Sequence, residues 1–179
     1  MKKNYLYPLC VLLFALLSHS YVRAQDGGGG KQAAAGDKQV MIKVEGEVTH
    51  PLELGPADLA KMRRVEVRSA EHDGKEHLYS GVPLSDILQQ AGVTMGPQLR
   101  GKNMAKYLLV KAADGYEVLF SLPELDSTFS SRVIILADQV DGSPLPANRG
   151  PFRIVVPGEK KPARWIWQVT NLVVRFAKE

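Results

Sequence analysis

The sequence predicts a β-rich α+β domain with mostly antiparallel or mixed sheets and short helices. Three observations carry that prediction. Asp-Gly pairs at 73–74, 114–115 and 141–142 each follow or separate extended runs, and Asp-Gly supplies the positive φ angles that tight hairpin turns need. One stretch, VPLSDILQQAG, has a clear helical period. Strand–helix–strand alternation is absent, and so is a glycine fingerprint for a dinucleotide or a P-loop.

Taken in order, VMIKVEGEV from Val40 alternates weakly and starts a strand, and GPADLAKM places Pro56 at the start of a short helix. RVEVRSAEH and KEHLYS flank Asp73-Gly74. Read as a two-residue type I′ turn, this pair sets Ala70 opposite His77 and Glu71 opposite Glu76. Val65, Val67, Ser69, Glu71, Glu76 and Leu78 then share one face, and Glu66, Arg68, Ala70, His72, His77 and Tyr79 the other. In VPLSDILQQAG, Leu84, Ile87, Leu88 and Ala91 form one apolar stripe that stops at Gly92. YLLVKAADGYEVLF is a second hairpin, and Ser121 with Glu124 has capping-box spacing. RVIILAD suits a buried strand. FRIVVP and WIWQVTNLVVRF end the chain as strands, with Trp165 and Trp167 on one face as core residues.

Ahead of this domain, residues 1–24 read as a secretory signal peptide. Lys2 and Lys3 precede a mostly apolar run from Leu6 to Leu17, and Val22-Arg23-Ala24 offers small residues for cleavage. A membrane span needs about 20 apolar residues, which this run lacks. Residues 25–39, QDGGGGKQAAAGDKQ, read as a flexible low-complexity tether with too little apolar surface to order. Residues 40–179 fit one domain. The expected location is the periplasm or outside the cell, with no transmembrane segment after cleavage. Cys10, the chain's only cysteine, lies within the signal, so the mature protein has no disulfide and no thiolate ligand. The 23 basic and 19 acidic residues become 20 and 19 once Lys2, Lys3 and Arg23 are removed. A balance of +1 gives no basis for a nucleic-acid partner.

Two stretches hold polar residues dense enough for chemistry. His72 and His77, diagonal across the first hairpin, are roughly 7–8 Å apart at Cα, loose for one zinc and without an evident third ligand. They read as surface histidines in preference to a metal pair. Glu71 beside Glu76 reads as screened tip charges in preference to an acid/base pair. The second stretch, residues 148–167, holds Arg149, Arg153, Lys160, Lys161 and Arg164 around proline-glycine loops. Such loops cradle anions, although charges near a strand edge also serve simply to discourage aggregation. No G-x-S-x-G elbow surrounds any serine, and no catalytic residue or metal ligand is assigned.

The order of YSGVPLSDILQQAG, YLLVKAADGYEVLFSLPELD and VIILADQVDGSPLPANRGPFRIVVPGEKKPARWIWQVTNLVV resembles the oxidoreductase molybdopterin-binding domain, the sulfite-oxidase fold. The resemblance spans roughly residues 40–175. It is most specific at Gly81-Val82-Pro83-Leu84, Asp114-Gly115-Tyr116, Gly150-Pro151-Phe152-Arg153 and Arg164-Trp165. It implies a molybdenum–pterin cofactor, oxygen-atom transfer, and a metal-ligating cysteine about a dozen residues before the glycine matching Gly81. That position is Ser69. A serine hydroxyl is a harder and less acidic donor than a thiol and would not reproduce a soft thiolate. Arg153 matches the arginine after Gly-Pro, Arg164 the basic residue before tryptophan, and Arg149 stands where many members have histidine. The loop PGEKKPAR, with Lys160 and Lys161, is shorter than the cofactor-gripping loop of the full enzymes.

The resulting expectation is an exported domain of this family without standard molybdenum catalysis. It would bind a pterin-like or other anionic ligand through a basic pocket formed by Ser69, Arg153 and Arg164 with Arg149, Lys160 and Lys161. Two alternatives stand beside it. One is an atypical active molybdenum oxidoreductase in which Ser69 or solvent completes the metal site. The other is a cofactor-free module that presents its hairpin tips to a periplasmic protein.

Overall fold

The computed structural model describes residues 40–71 and 74–177. The expected signal peptide, tether and Cys10, as well as His72 and Asp73, lie outside the described residues. Ten strands form two five-stranded sheets. The first contains β1 (Ile42–Gly46), β2 (Leu52–Leu54), β5 (Lys106–Ala112), β6 (Glu117–Ser121) and β10 (Val169–Phe176), in the order β2-β1-β10-β5-β6. The second contains β3 (Val65–Ala70), β4 (Glu76–Pro83), β7 (Ile135–Val140) and β8 (Ser143–Pro144) in sequence order, with β9 (Arg153–Val155) also paired to β7. Only β1 with β10 is parallel; the other pairings are antiparallel. The β-rich α+β class is borne out.

Three short helices punctuate the sheets: α1 (Pro56–Leu59), α2 (Leu84–Gln90) and α3 (Leu122–Leu125). The stripe expected on α2 is the buried one, with Leu84, Ile87, Leu88 and Ala91 all removed from solvent. At α3 the Glu124 carboxylate accepts the Ser121 backbone N–H at 2.7 Å, half of the expected capping box. β5 alternates strictly, burying Lys106, Leu108, Val110 and Ala112 while the residues between are partly exposed. β7 differs in burying Ile135, Leu136 and Ala137 in succession. It lies between neighbours on both sides and is covered on both faces, which accounts for the unbroken apolar run RVIILAD.

The sheets meet along β9. Leu136 and Ala137 on β7 pair with Ile154 and Arg153, and on its other side Ile154 N–H donates to the Ile166 carbonyl while Val169 N–H donates to Phe152. That second partner leads directly into β10. Trp165, Ile166 and Trp167 therefore do not begin the last strand as expected. They follow a 3₁₀ turn at Pro162–Arg164, and Trp167 contributes only an isolated bridge to Arg153.

The Asp-Gly turns are not equivalent. Asp141 and Gly142 have φ angles of 49° and 76°, the two-residue type I′ geometry, and Val140 pairs directly with Ser143. At the first hairpin, Glu71 N–H donates to the Lys75 carbonyl at 3.1 Å and Gly74 N–H to the Glu71 carbonyl at 3.0 Å. Three residues thus separate the closing pair, and Gly74 has φ 75°. The register is one residue away from that expected: Ala70 faces Glu76, Ser69 faces His77 and Val67 faces Tyr79. Glu71 does not oppose Glu76. A one-residue slip turns every side chain of the partner strand over, so His77 and Tyr79 join Ser69 and Glu71.

Gly81 shows how closely β4 and β7 approach. A Cβ there would lie 2.2 Å from the Leu136 carbonyl oxygen and 2.6 Å from Ala137 Cα, beside the bulge between Ser80 and Gly81. Gly81→Ala should therefore lower unfolding stability by about 2–3 kcal/mol through overpacking, measured by urea denaturation. A change below ~0.5 kcal/mol, the range of ordinary surface substitutions, would contradict this close approach.

Candidate functional site

The corrected hairpin register brings the β3–β4 tip to the seam between the sheets. There Arg153, on β9, is only 3% exposed. A guanidinium so far from water needs a compensating charge, and Glu71 provides it. Glu71 Oε1 accepts from Arg153 Nη1 at 2.7 Å and from the Tyr79 hydroxyl, while Oε2 accepts from Arg149 Nη1 at 2.9 Å. Burial alone would raise the Glu71 pKa, but the Tyr79 hydrogen bond and both guanidiniums outweigh it and hold the pKa at about 2. Burial and the Glu71 carboxylate raise that of Tyr79, whose phenol remains a proton donor.

Aromatic rings enclose these charges. The Arg153 guanidinium carbon lies 5.3 Å from the Tyr79 ring centre and 5.4 Å from those of Trp165 and Trp167. Arg149 stacks on Trp167 at 4.4 Å. Trp165 is buried and meets Tyr79 edge-to-face at 5.7 Å. Trp167 is 39% exposed, a departure from its expected place in the core. Two cavities open here, of about 220 and 400 Å³, and Glu71, Arg153 and Trp167 line both. Tyr116, Asp114 and Trp165 complete the smaller one; His77, Tyr79 and Arg149 help to line the larger. Arg153 Nε and Trp165 Nε1 are buried without an acceptor.

Of the six residues expected to bind a cofactor, the structure brings Arg149 and Arg153 together. Ser69 is buried at 8% exposure on β3 but lines neither cavity. Arg164 points elsewhere. It donates to Glu159 and Glu124 and to the Leu119 carbonyl, and lies over Phe120 at 4.5 Å. Lys160 and Lys161 are exposed and form no ion pair among the described residues. His77 Nδ1 is 2.6 Å from Asp141 Oδ2, and Leu78 N–H donates to the same carboxylate, so this histidine is tied to the neighbouring turn. Among the described residues, no three His, Cys, Asp or Glu side chains converge to hold a metal.

The family described as the oxidoreductase molybdopterin binding domain matches residues 70–175, more than half of the chain. The chain belongs to the molybdopterin-binding oxidoreductase family. Among solved structures it is similar to the sulfane dehydrogenase SoxCD from Paracoccus pantotrophus, with a TM-score of 0.60 and 23% identity. The match covers 75% of this chain and 37% of that one, so this chain spans little more than a third of its neighbour's length. At that identity the likeness shows the fold. No curated protein matches.

The donor set does not fit the family's molybdenum centre. Ser69 stands at the expected ligand position, the only cysteine is Cys10, and Glu71 already neutralises the guanidiniums at the cleft. A soft metal bound through sulfur gains little from a serine hydroxyl.

Glu71 also ties stability to pH. Its pKa is lower folded than the ordinary 4.5, so its contribution is complete above about pH 4.5 and disappears as pH falls toward 2. The stability gap between wild type and Glu71→Gln should therefore shrink across that window in urea unfolding. Glu71→Ala at neutral pH should cost about 3 kcal/mol, because it leaves a buried charge unpaired.

Proposed function

We propose that this chain is an exported binding domain of the molybdopterin-binding family that works without standard molybdenum catalysis and takes an anionic, pterin-like or otherwise planar ligand. The observation that carries this reading is the convergence of Arg149, Arg153 and Tyr79 on a single carboxylate beside an exposed tryptophan. Donors outnumber acceptors there, since Arg153 Nε and Trp165 Nε1 also lack partners. Two guanidiniums share one carboxylate beside aromatic rings, and although Asp114 and Asp141 also stand in the cavity walls, these forked donors suit negatively charged, flat molecules. Export rests on the apolar run from Leu6 to Leu17 and the small residues before Gln25.

The role of the chain's own groups is to hold and orient. Arg153 is fixed by the seam and its aromatic walls, so it offers its donors with little entropy left to lose. Arg149 is more exposed and supplies the adjustable half of the clamp, with Trp167 as its platform. An active enzyme with Ser69 on the metal is less well supported, since a serine hydroxyl is a harder and less acidic donor than the thiolate it would replace.

Protein purified from its native export route should begin at Gln25 by mass and contain molybdenum far below one atom per chain. Oxidation to fluorescent pterin products tests for a retained pterin. Molybdenum near one per chain, with turnover lost in Ser69→Ala, would overturn the reading. For a bound anionic probe, Arg149→Ala should weaken binding about 10–100-fold, the cost of losing a charge-assisted hydrogen bond. Arg164→Ala should weaken it less than Arg149→Ala does, because the Arg164 guanidinium is held by Glu124 and Glu159 outside the clamp even though its neighbours Ala163 and Trp165 line the smaller cavity.

A further inference from the structure

Four strands stand at the ends of the two sheets, and three of them are blunted against further pairing. β2 has three residues and begins just after Pro51. β8 has two and ends in Pro144. On β6 the Leu119 carbonyl already accepts from Arg164 Nη1 at 3.2 Å. β3 differs. Its six residues, VEVRSA, include no glycine, proline or lysine, and its ladder with β4 runs through consecutive pairs without a bulge. Such an edge is a template for another strand.

The hydrogen-bond phase fixes which groups this edge presents. Opposite Arg68, the N–H and C=O of Leu78 both turn away from β3 to meet Asp141. Arg68 and Leu78 are therefore a non-hydrogen-bonded pair, and the backbone groups of Arg68 point outward. By alternation so do those of Glu66 and Ala70, and all three residues are exposed. The side chains of Glu66 and Arg68 carry opposite charges on one face. Neither forms an ion pair or a side-chain hydrogen bond among the described residues, although Arg68 lies near enough to Asp141 to help hold that carboxyl's pKa down.

A second copy can pair with this edge in few registers. A two-fold axis perpendicular to the sheet makes the partner strand antiparallel and keeps like faces together. Only the outward-pointing residues can exchange hydrogen bonds. Centred on Glu66 or on Arg68, the axis would set like charges directly opposite; centred further along, it would leave much of the strand unpaired. Centred on Val67, it sets Glu66 against Arg68 of the second copy and Arg68 against its Glu66. Val67 then meets Val67 on the inner face, where it is partly exposed in the single chain. Two ion pairs and about four to eight backbone hydrogen bonds form together. We infer that β3 is a self-association edge: two copies of this chain pair antiparallel through β3 about Val67 and join their second sheets into one.

The shared area is small, so association belongs to the micromolar range. In sedimentation, the full exported chain should pass from monomer toward dimer between about 1 and 100 µM. Glu66→Arg and Arg68→Glu each set like charges opposite twice and should each weaken dimerisation about ten-fold. A mixture of the two variants, and the double variant Glu66→Arg/Arg68→Glu, should restore it. Val67→Cys should oxidise to a covalent dimer, because Cβ atoms of a non-hydrogen-bonded pair lie within disulfide reach; Lys43→Cys, on β1, should not. In wild type, the amides of Glu66 and Arg68 should exchange with deuterium more slowly as concentration rises, a measurement that requires no variant to fold.

A monomer at every concentration would overturn the inference. Protection of Glu66 and Arg68 that does not depend on concentration would mean that another part of the same chain covers the edge, and would overturn it too. A dimer left intact by both single variants would place the interface elsewhere. A dimer restored neither by the mixture nor by the folded double variant would exclude this register, and the inference with it.

Discussion

Arg153 is a full positive charge held almost entirely out of water, and much of the molecule's organisation near the cleft answers to that fact. A lone buried guanidinium would be prohibitively unfavourable. Its carboxylate partner comes from β3–β4, its aromatic walls from β4 and the segment before β10, and its own backbone from β9. Charge neutralisation and sheet packing thus converge on one side chain. The hairpin register is part of the same constraint. Without the three-residue connection, Tyr79 would face away from Glu71, and the carboxylate would lose a donor.

The contrast with Arg164 shows how position decides what a basic residue does. Both arginines lie in the stretch richest in cations, and both sit against aromatic rings. Arg164 is matched by two carboxylates, Glu124 and Glu159, and pins the 3₁₀ turn to α3. Arg149 and Arg153 share one carboxylate between them. The first arrangement is closed and structural. The second leaves a buried donor, Arg153 Nε, without a partner at a cleft.

Much of this was legible in the sequence because it depends on local signals. The stripe Leu84, Ile87, Leu88 and Ala91, the run at 134–137 and the three Asp-Gly turns each declare an element through composition and period. The first hairpin's register was not legible, since Asp-Gly serves a two-residue turn at 141–142, whereas at the first hairpin Glu71 closes on Lys75. That single residue hid Tyr79, placed Glu71 among screened tip charges, and so concealed the centre of the site. Arg149 and Arg153 stood out as cations in a loop-rich segment. Nothing local separates them from Arg164, Lys160 and Lys161, because the distinction lies in carboxylates tens of residues away. Ser69 was marked by its place in the family pattern, whereas its sharing a face with Glu71, His77 and Tyr79 is a property of the folded sheet.

The pairing order of the first sheet has a consequence for how the chain comes to be folded. β10 lies at the centre, parallel to β1 on one side and antiparallel to β5 on the other. It is also the last strand among the described residues. β1 and β5 therefore have no neighbour joining them until residues 169–176 have been made, although the pairs β1–β2 and β5–β6 are each local. Joining Lys43 to Asn171 closes a loop of nearly the whole domain, a contact of the long-range kind that slows folding. The first sheet is consequently closed late, when β10 pairs with β1 and β5.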